Sequence, residues 1–355
     1  MAFNPFKLFL PKKMLGIDVG TSSLKIVELS QWGQGKTLEN YGEIKSISLL
    51  KEPSKILEKG SYLLSNYFVS RAIQAILEET KIKTRAVIFS IPDFSTFFVP
   101  FDLPPMAEKE IPDAVRFNAP QYIPLPISET TLDWRIISGT PGDNRSNLRI
   151  LVVAVANQVV QEYQRVAQMA GLELYALEAE ALAAVRSLMK DNKKTICLID
   201  IGVQSTTVNI VDKGVLEKSF SFDFAGSQLT YALSSSLDKT YAESEELKIR
   251  GGLISQERNV SEIIYLLIDP LLAEVKKICG EFSQMEGKEI EEIYLTGGTA
   301  NLPGLKEYFA EVLKKKIEVP NCFSHLLYPP ILGETLSEMS SRYSVAVGVA
   351  MGGLE

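Results

Sequence analysis

Two stretches of the chain repeat one pattern: an apolar strand ends in Asp-x-Gly, hydroxyl side chains follow, and a second apolar strand begins. The first stretch is MLGIDVGTSSLKIVEL at 14–29, and the second is TICLIDIGVQSTTVNIVDKG at 195–214. One such hairpin is explained by the turn preferences of Asp, Gly, Ser and Thr. Two of them, each opening about half of the chain, predict a duplicated α/β domain.

The composition of the 355 residues excludes several classes of function. The net charge of -7 argues against nucleic-acid binding, which a basic surface usually drives. Cys197, Cys279 and Cys322 are far apart and form no CxxC, so neither a disulfide framework nor a zinc site is predicted, and a reducing cytoplasm fits best. The single histidine, His325, is expected to be structural or exposed, which removes histidine-based triads.

No apolar run approaches the ~20 residues that a membrane-spanning helix needs. The first residues, MAFNPFKLFLPKK, lack the long apolar segment and the cleavage site of a signal peptide. They predict a leader at 1–13. Two interpretations of this leader stay open: a disordered or docking tail, or a segment in weak contact with a membrane or a membrane-bound partner.

A segment rich in proline and aromatic residues, 90–153, interrupts the first half and predicts an inserted subdomain. Within it we expect a strand, a short helix around Ala107 to Asn118, a strand near Leu132 to Ile137, a loop at GTPGDNRSN and the strand LRILVVAVA. A helix capped by Asn157 and ended by Gly171 is predicted next.

Further elements complete the two halves. The first half adds the strands LENYGEIKSISL and RAVIFSIP, the helix SNYFVSRAIQAILEETK, and, after the strand LELYAL, a helix from about Glu178 to Met189. The second half adds helices at GSQLTYALSSSL, YAESEELKIRGG and SEIIYLLIDPLLAEVKKICGEFSQM, the strand EIYLTGG, and a helix at LPGLKEYFAEVLKK. A helix of small residues, SRYSVAVGVAMGG, comes last.

The two hairpins have the chemistry of phosphate clamps. Glycine lets the backbone approach a ligand closely, and backbone N–H groups with short hydroxyl side chains surround an anion. An aspartate at the strand end would repel phosphate, but it suits Mg²⁺, which prefers oxygen ligands and keeps several waters. Two such hairpins facing one another across a cleft would grip a polyphosphate from both sides.

A third element, IYLTGGTANLPGLKEYF, places paired glycines at the end of a strand and before a helix. Gly297 and Gly298 would let a flat base or ribose lie against the backbone, although a simple βα turn explains the same glycines. The chain contains no GxxxxGK[ST] and no GxGxxG, so neither a P-loop nor a dinucleotide-binding Rossmann fold is predicted.

The order of these three motifs resembles the actin, sugar kinase and heat-shock chaperone ATPase superfamily. The resemblance spans nearly the whole chain and implies an actin-like ATPase fold, with two duplicated ribonuclease-H-like domains around a nucleotide cleft that binds ATP and Mg²⁺. Within the superfamily the chain resembles the PilM family of type IV pilus assembly proteins, which is related to FtsA. The opening FKLFLPKKMLGIDVGTSSLKIVEL, the position of the insertion, LEAEALAAVRSL, AGSQLTYALSSSL and AESEELK support this resemblance.

The resemblance implies a domain plan for the chain. The segments are the leader 1–13, a first domain at 14–89 and 154–192, the insertion 90–153, a second domain at 193–245 and 290–355, and a helical subdomain at 246–289. It also implies a role for individual residues. Asp18 and Asp200 would act on the magnesium, and Glu180 and Asp200 are the candidates for orienting water.

The nucleotide-binding residues implied by the resemblance fall into three groups. The phosphate-binding group is Gly20, Thr21, Ser22 and Lys25 in the first hairpin, with Gly202, Ser205 and Thr206 in the second. The group for ribose and base is Gly226, Glu245 and Lys248; Glu246 is left as an alternative to Glu245. The adenosine side is Gly297, Gly298 and Thr299. Where relatives often have Gly-Gly, this chain has Ala225 before Gly226.

The resemblance further implies a partner and a location. The partner is the short cytoplasmic N-terminal tail of PilN, a bitopic inner-membrane protein, bound in a groove between the first subdomain and the insertion. The chain would be cytoplasmic and peripheral at the inner membrane through that partner. Other pilus assembly proteins and ATPases, and self-association, are further candidates. The aromatic residues of the insertion would line the groove or form the insertion's own core.

Three alternatives for function stay open at this stage. Slow ATP hydrolysis is compatible with a recruiting role. An FtsA-like cell-division filament protein is the nearest rival, although the C-terminal amphipathic helix of FtsA is not found before the end at AMGGLE. A small-molecule kinase of the same superfamily is the third, but no sugar-specific block is recognised.

Overall fold

The computed structural model describes residues 12–45, 65–143, 145–189 and 192–355. Most of the predicted leader and the end of the strand predicted at LENYGEIKSISL lie outside these residues. Lys12 and Lys13, assigned to the leader from the sequence, are the first residues of a strand. Contacts divide the chain into two compact units: 1–92, 158–187 and 322–355 form unit 1, and 93–157 and 188–321 form unit 2.

The strands and helices are numbered here in chain order. The strands are β1 (Lys12–Val19), β2 (Ser23–Trp32), β3 (Gly35–Lys45), β4 (Ala86–Ile91), β5 (Thr96–Leu103), β6 (Thr130–Ser138), β7 (Leu148–Ala156), β8 (Glu173–Ala179), β9 (Thr195–Ile201), β10 (Thr206–Asp212), β11 (Val215–Phe222), β12 (Glu292–Thr296) and β13 (Lys316–Glu318). The α-helices are α1 (Asn66–Glu79), α2 (Ile111–Asn118), α3 (Asn157–Ala170), α4 (Glu180–Leu188), α5 (Gly226–Leu237), α6 (Tyr241–Gly251), α7 (Arg258–Glu286), α8 (Leu305–Leu313) and α9 (Gly333–Gly352).

Each unit contains one five-stranded sheet, and the two sheets have the same topology. The order is β3-β2-β1-β4-β8 in unit 1 and β11-β10-β9-β12-β13 in unit 2. In each sheet three antiparallel strands come first, and two later strands join in parallel. The parallel strands arrive through helical connections, as parallel pairing requires. The shared strand order confirms the duplication that the two Asp-x-Gly hairpins predicted.

The core of unit 1 forms between its sheet and the helices on it. The apolar side chains of β1 and β2 are buried, and α9 packs against β1, β2 and β4. A Cβ atom at Gly16 would collide with the backbone of α9, so glycine allows the close approach of strand and helix. The sequence assigned 290–355 to the second domain; the contacts place 322–355 with the first sheet instead.

The core of unit 2 is built from β9, β10 and β12 against α5, α7 and α8. Pro270 lies inside α7, which nevertheless continues to Glu286. Among the helices that the structure describes, none is both long enough and apolar enough to cross a membrane.

The insertion contains a three-stranded antiparallel sheet, β5-β7-β6, with α2 on one face. The helix predicted from Ala107 to Asn118 is a 3₁₀ turn at Glu108–Glu110 followed by α2, and the strand predicted near Leu132 is β6. The insertion falls in unit 2, where β5 and β6 contact β11.

Two predicted helix starts differ from the structure. Asn157 begins α3, but its side chain accepts a hydrogen bond from Thr131 and donates one to the Ser128 carbonyl, and all three residues belong to unit 2. The helix expected from Glu178 begins at Glu180, since Glu178 still pairs in β8. Gly171 has φ +71°, the left-handed conformation predicted for it.

Candidate functional site

The first Asp-x-Gly hairpin joins β1 and β2 through Gly20, Thr21 and Ser22. Asp18 lies opposite Lys25 in the strand register, one pair from the turn, so both side chains lie near the turn end of the hairpin. A Cβ atom at Gly20 would come within 3.0 Å of the Ser23 carbonyl oxygen, tighter than ordinary packing. The sequence therefore places a compact polar turn at the carboxyl end of β1, as a phosphate clamp requires.

Asp18 is buried and both of its carboxylate oxygens have protein partners. Lys25 Nζ lies 3.3 Å from Oδ2, and Ser90 Oγ donates to Oδ1 at 3.0 Å. Ser90 comes from β4, which pairs with β1 in parallel, so the carboxyl ends of both strands meet here. Lys25 and Asp18 thus form a buried ion pair. Ser90 was not recognised from the sequence, where a serine inside the apolar run RAVIFSIP gives little signal.

Glu180 belongs to the same end of the sheet in unit 1. It is the first residue of α4 and directly follows β8, the strand that pairs with β4. A buried phenol, Tyr163 of α3, is close to this group: burial raises its pKa well above the ordinary value, and the charges of Glu180 and Asp18 raise it further. Unit 1 thus brings together Asp18, Lys25 and Glu180, three of the residues predicted from the sequence.

The second hairpin joins β9 and β10 through 202–205, and its turn is closed by a hydrogen bond from the Gly202 N–H to the Ser205 carbonyl. Asp200 lies opposite Thr207 in the register. The start of α5 docks on this turn: the N–H of Gly226 donates to the Gly202 carbonyl, and the N–H of Ser227 donates to the Val203 carbonyl, both at 3.0 Å. The carbonyls of the turn are therefore occupied by α5.

The third sequence motif lies against the second hairpin. β12 pairs with β9 so that Thr296 is opposite Asp200, and the Thr299 N–H donates to the Ile201 carbonyl. Gly297 has φ +90°, and a Cβ there would collide with the Asp200 carboxylate and the Ile201 carbonyl oxygen. Only glycine fits this close approach.

Gly226 is enclosed in the same way. A Cβ on Gly226 would collide with Thr299 Oγ1, so hairpin, helix start and glycine turn form one cradle. Ala225 has φ −157°, an extended conformation open to any residue, so it takes the place of the family glycine without strain. Gly298 differs from its neighbours because nothing lies within 4 Å of a Cβ built there.

Glu245 and Lys248, one turn apart on α6, share a hydrogen-bond cluster with Thr230 of α5. Lys248 Nζ donates to Glu245 Oε2 at 2.7 Å, to Thr230 Oγ1 at 2.8 Å and to the Gly226 carbonyl at 3.0 Å. The Thr230 hydroxyl also donates to Glu245. Burial lowers the pKa of Lys248, and Glu245 opposes this shift. Glu246 is exposed, so Glu245 is the acid directed toward α5.

The Lys248 ammonium has three donors, and the structure gives it three acceptors within the protein. The direct contact of Lys248 with ribose or base that the resemblance implies stays a prediction. Thr230 was missed in the sequence analysis; its position four residues after Gly226, one helical turn along α5, is the signal that could have found it.

The residues present fit a magnesium nucleotide. Among the described residues, no group of three or more His, Cys, Asp or Glu side chains is placed to hold a metal ion. Magnesium bound through one or two carboxylates, waters and phosphate oxygens needs no such group. In addition, Thr206 Oγ1 and Gln204 Oε1 in the second hairpin are buried and have no hydrogen-bond partner in the described structure. Buried polar atoms of this kind can bind a ligand or a water.

Comparison with protein families gives a match to the model described as type IV pilus assembly protein PilM, over residues 16–354. The chain belongs to the PilM family. A curated relative, cell division protein FtsA of Pseudomonas aeruginosa, is 24% identical over 235 residues, which are 59% of this chain and 55% of FtsA. The chain thus spans about half the length of the curated relatives it matches.

Solved structures agree with the family on the fold. A PilM–PilN type IV pilus biogenesis complex matches with a TM-score of 0.83 and 24% identity, over 96% of this chain and 98% of that one. MreB5 of Spiroplasma citri bound to ADP matches with a TM-score of 0.54 and 14% identity, over 96% and 95%. The chain has the actin-like ATPase fold predicted from its three motifs.

Proposed function

We propose that this PilM family protein binds ATP with Mg²⁺ and recruits the cytoplasmic N-terminal tail of PilN to the type IV pilus assembly platform. Its nucleotide state would be coupled to pilus assembly. In this role the protein is cytoplasmic and peripheral at the inner membrane through its partner. The family match over 16–354 supports the pilus role, and the PilM–PilN complex among similar structures supports the choice of partner.

The observation that carries the nucleotide proposal is the glycine cradle of unit 2. Gly226 and Gly297 each approach other protein atoms so closely that a Cβ atom would collide with them, and Gly298 beside them is open. The open space at Gly298 would admit a flat base or ribose against the backbone, next to the part of the cradle that the two packed glycines hold together. The related fold of MreB5 was solved with ADP, which favours a nucleotide as the ligand.

We assign the predicted residues to parts of the nucleotide as follows. Gly20, Thr21, Ser22 and Lys25 would hold phosphates in unit 1, and Gly202, Ser205 and Thr206 would hold them in unit 2. Asp18 and Asp200 would hold magnesium through water or directly, and the ion would neutralise phosphate charge. Glu245 would bind the ribose, with Gly297, Gly298 and Thr299 on the adenosine side.

Slow hydrolysis of ATP is part of this proposal. Glu180 begins α4 at the same strand ends as Asp18, and Asp200 is the next-to-last residue of β9, beside Gly297. A carboxylate in either place would orient a water toward the terminal phosphate if it lies within hydrogen-bond reach.

The insertion would supply apolar contacts to the partner peptide. Phe101 is buried in its core, whereas Phe117 is 78% exposed and Tyr122, stacked on Phe101 at 5.6 Å, is half exposed. The aromatic residues therefore divide between the two uses considered from the sequence. Exposed aromatic side chains are the usual anchors of a peptide interface.

Release of bound nucleotide is the first test of this proposal. The protein is purified without added nucleotide and denatured, and the released small molecules are chromatographed. Mostly ATP supports a scaffold or switch, whereas mostly ADP supports turnover. If the purified protein releases neither, and calorimetry with ~1 mM MgATP shows no binding, the nucleotide role is rejected.

Recruitment of PilN is tested separately with point variants, because deleting the insertion would also remove its contacts with β11. Phe117→Ala and Tyr122→Ala should weaken binding of the PilN N-terminal peptide at least several-fold while MgATP affinity is unchanged. Leu266→Ala, a large exposed side chain on α7, is the control. Equal peptide binding by all three variants and the wild type would refute the assignment of this surface.

An FtsA-like filament protein is the second candidate, because the curated relatives are FtsA proteins. The family model matches nearly the whole chain, whereas FtsA of P. aeruginosa matches 59% of it, and this difference favours the pilus role. Sedimentation with MgATP separates the two: nucleotide-dependent polymers, with no binding of PilN, would support the filament protein.

A further inference from the structure

Tyr163 is a buried tyrosine whose hydroxyl oxygen has no hydrogen-bond partner within the described structure. The residue lies on α3 and is 4% exposed. Its ring packs on Phe89 with a centroid distance of 5.6 Å and an interplanar angle of 54°. A buried polar atom without a hydrogen-bond partner costs free energy and is rare in native proteins. Its presence therefore indicates that a ligand or a water forms a hydrogen bond with it.

The surroundings of the phenol show what kind of group would complete it. Phe89 lies opposite Ile17 in the pairing of β4 with β1, and the next residue, Ser90, bonds to Asp18. Tyr163 therefore packs at the carboxyl ends of these strands, where the first hairpin begins. α4, with Glu180 at its first residue, follows the neighbouring strand β8.

The phenol acts as a donor in these surroundings. Burial first, and then the charges of Glu180 and Asp18, raise its pKa well above the ordinary value, so it remains protonated at neutral pH. Carboxylates only accept hydrogen bonds, and a water held by carboxylates can accept one as well. An acceptor is thus what the site has to provide: a carboxylate oxygen that shifts toward the hydroxyl, or a water held between the carboxylates.

We propose that Tyr163 is a positioning residue for the magnesium nucleotide, and that its hydroxyl donates a hydrogen bond within the polar layer formed by Asp18, Glu180 and their bound waters when the nucleotide enters. This inference rests on the proposed nucleotide binding and adds to it a residue outside the three sequence motifs. With the ligand bound, the hydroxyl would hold the carboxylates or their waters in place.

The test compares Tyr163→Phe with the wild type, nucleotide-free and with MgATP. Removing an unpartnered hydroxyl should leave the melting temperature of the nucleotide-free protein unchanged or raised. The rise in melting temperature with MgATP should be smaller in the variant, and the Kd from calorimetry should increase about tenfold, as expected for loss of a hydrogen bond to a charged group. Without Mg²⁺, in EDTA, the two proteins should bind ATP equally.

Tyr343→Phe is the matched control in the same unit. Tyr343 is also fully buried but lies on α9 against Tyr41 and Phe323, and its substitution should not change the MgATP response. If Tyr163→Phe lowers the stability of the nucleotide-free protein and leaves the MgATP response intact, the hydroxyl holds a permanent structural water and the proposal is overturned.

Two other results would also overturn it. If MgATP raises the melting temperature of wild type and Tyr163→Phe equally, the inference about Tyr163 is wrong, but the proposed function is not affected. If Tyr163→Phe loses ATP affinity equally with and without Mg²⁺, the hydroxyl does not act in the polar layer around the magnesium. If the wild type itself gains no stability with MgATP, the proposed function fails, and this inference fails with it.

Discussion

Lys248 of α6 donates a hydrogen bond to the backbone carbonyl of Gly226, the first residue of α5, at 3.0 Å. The same ammonium group also bonds to Thr230 and Glu245, so one buried lysine joins two helices and orients an acid. It fixes the start of α5 on the second hairpin. We therefore infer that Lys248 supports the glycine cradle through protein contacts alone, and that Glu245 is the member of the pair that contacts a ligand.

Replacing Lys248 with methionine tests this division of roles. The variant leaves Glu245 and the Gly226 carbonyl without their shared donor, so the free energy of unfolding should fall by about 1–3 kcal/mol. MgATP affinity should fall as well, because the start of α5 is no longer held. Urea unfolding and calorimetry measure the two effects. Arg250→Met, an exposed position on the same helix, is the control and should change neither quantity.

A different outcome would restore the role that the family resemblance implies. If Lys248→Met keeps the stability of the wild type and loses only MgATP affinity, the lysine contacts the nucleotide directly.

Alanine at Gly226 should lower the stability of the fold, whereas alanine at Gly298 should not. Gly226→Ala places a Cβ against Thr299 Oγ1, so it should destabilise the fold by about 1–3 kcal/mol, as overpacking does. Thr299→Ala in the same chain removes the colliding oxygen and should recover most of the loss, which thermal unfolding of the single and double variants would show. No recovery would mean that Gly226 is needed for another reason.

Gly298→Ala should leave the nucleotide-free protein as stable as the wild type, because its Cβ would meet nothing within 4 Å. If this open space is where the adenosine lies, the added methyl group should weaken MgATP binding, and calorimetry of a normally folded protein would detect it. Unchanged affinity would place the adenosine away from Gly298.

The sequence predicted the fold through features that are local in the chain. Asp18 and Asp200 open two hairpins of the same composition, and the two sheets indeed share one strand order. The element boundaries were mostly close because apolar periodicity and turn residues mark them. Asn157 is an instructive failure: a residue typical of a helix cap bonds instead to Ser128 and Thr131, which lie nearby only after the insertion has folded.

The site was only partly predictable, for the same physical reason. The glycines and aspartates were selected from the sequence because they occur in short motifs of fixed spacing. Ser90 and Tyr163 give little local signal because each looks like an ordinary strand or helix residue, and the residues they contact are distant in sequence. Thr230 gives only a weak signal, its position one helical turn after Gly226. The sequence could not show that three protein acceptors surround the Lys248 ammonium group, because two of them belong to α5 and lie 18 and 22 residues away along the chain.

Arg149 and Glu286 should stabilise the protein in a pH-dependent way. Two parallel hydrogen bonds of 3.1 Å join β7 of the insertion to the end of α7, and Glu217 lies 3.6 Å from the same guanidinium. The hydrogen bond from Arg149 lowers the pKa of Glu286, with burial acting against it. The stability from this pair is therefore present above the unfolded-state pKa and lost as pH falls through the lower folded-state pKa.

Glu286→Gln should accordingly lower the free energy of unfolding by about 1 kcal/mol at pH 7, since the pair is only partly buried. The difference from wild type should shrink as the pH falls below about 4.3, the ordinary value for glutamate. A double-mutant cycle with Arg149→Met isolates the coupling. Lys277 and Glu274, an exposed pair 3.8 Å apart on the same helix, should show almost no coupling. A pH-independent gap would contradict the assignment.

Gly348 on α9 should be the least replaceable residue where α9 crosses α4. A Cβ at Gly348 would collide with the backbone of Ala183, and a backbone atom cannot rotate away as a side chain can. Gly348→Ala should therefore cost about 3 kcal/mol or more, despite the better helix propensity of alanine. Gly333→Ala, at the open start of the same helix, should be neutral or slightly stabilising in the same urea titration. Equal effects of the two substitutions would show that α9 and α4 can move apart without loss of stability. The small residues of α9 would then not be required for the close packing of these helices.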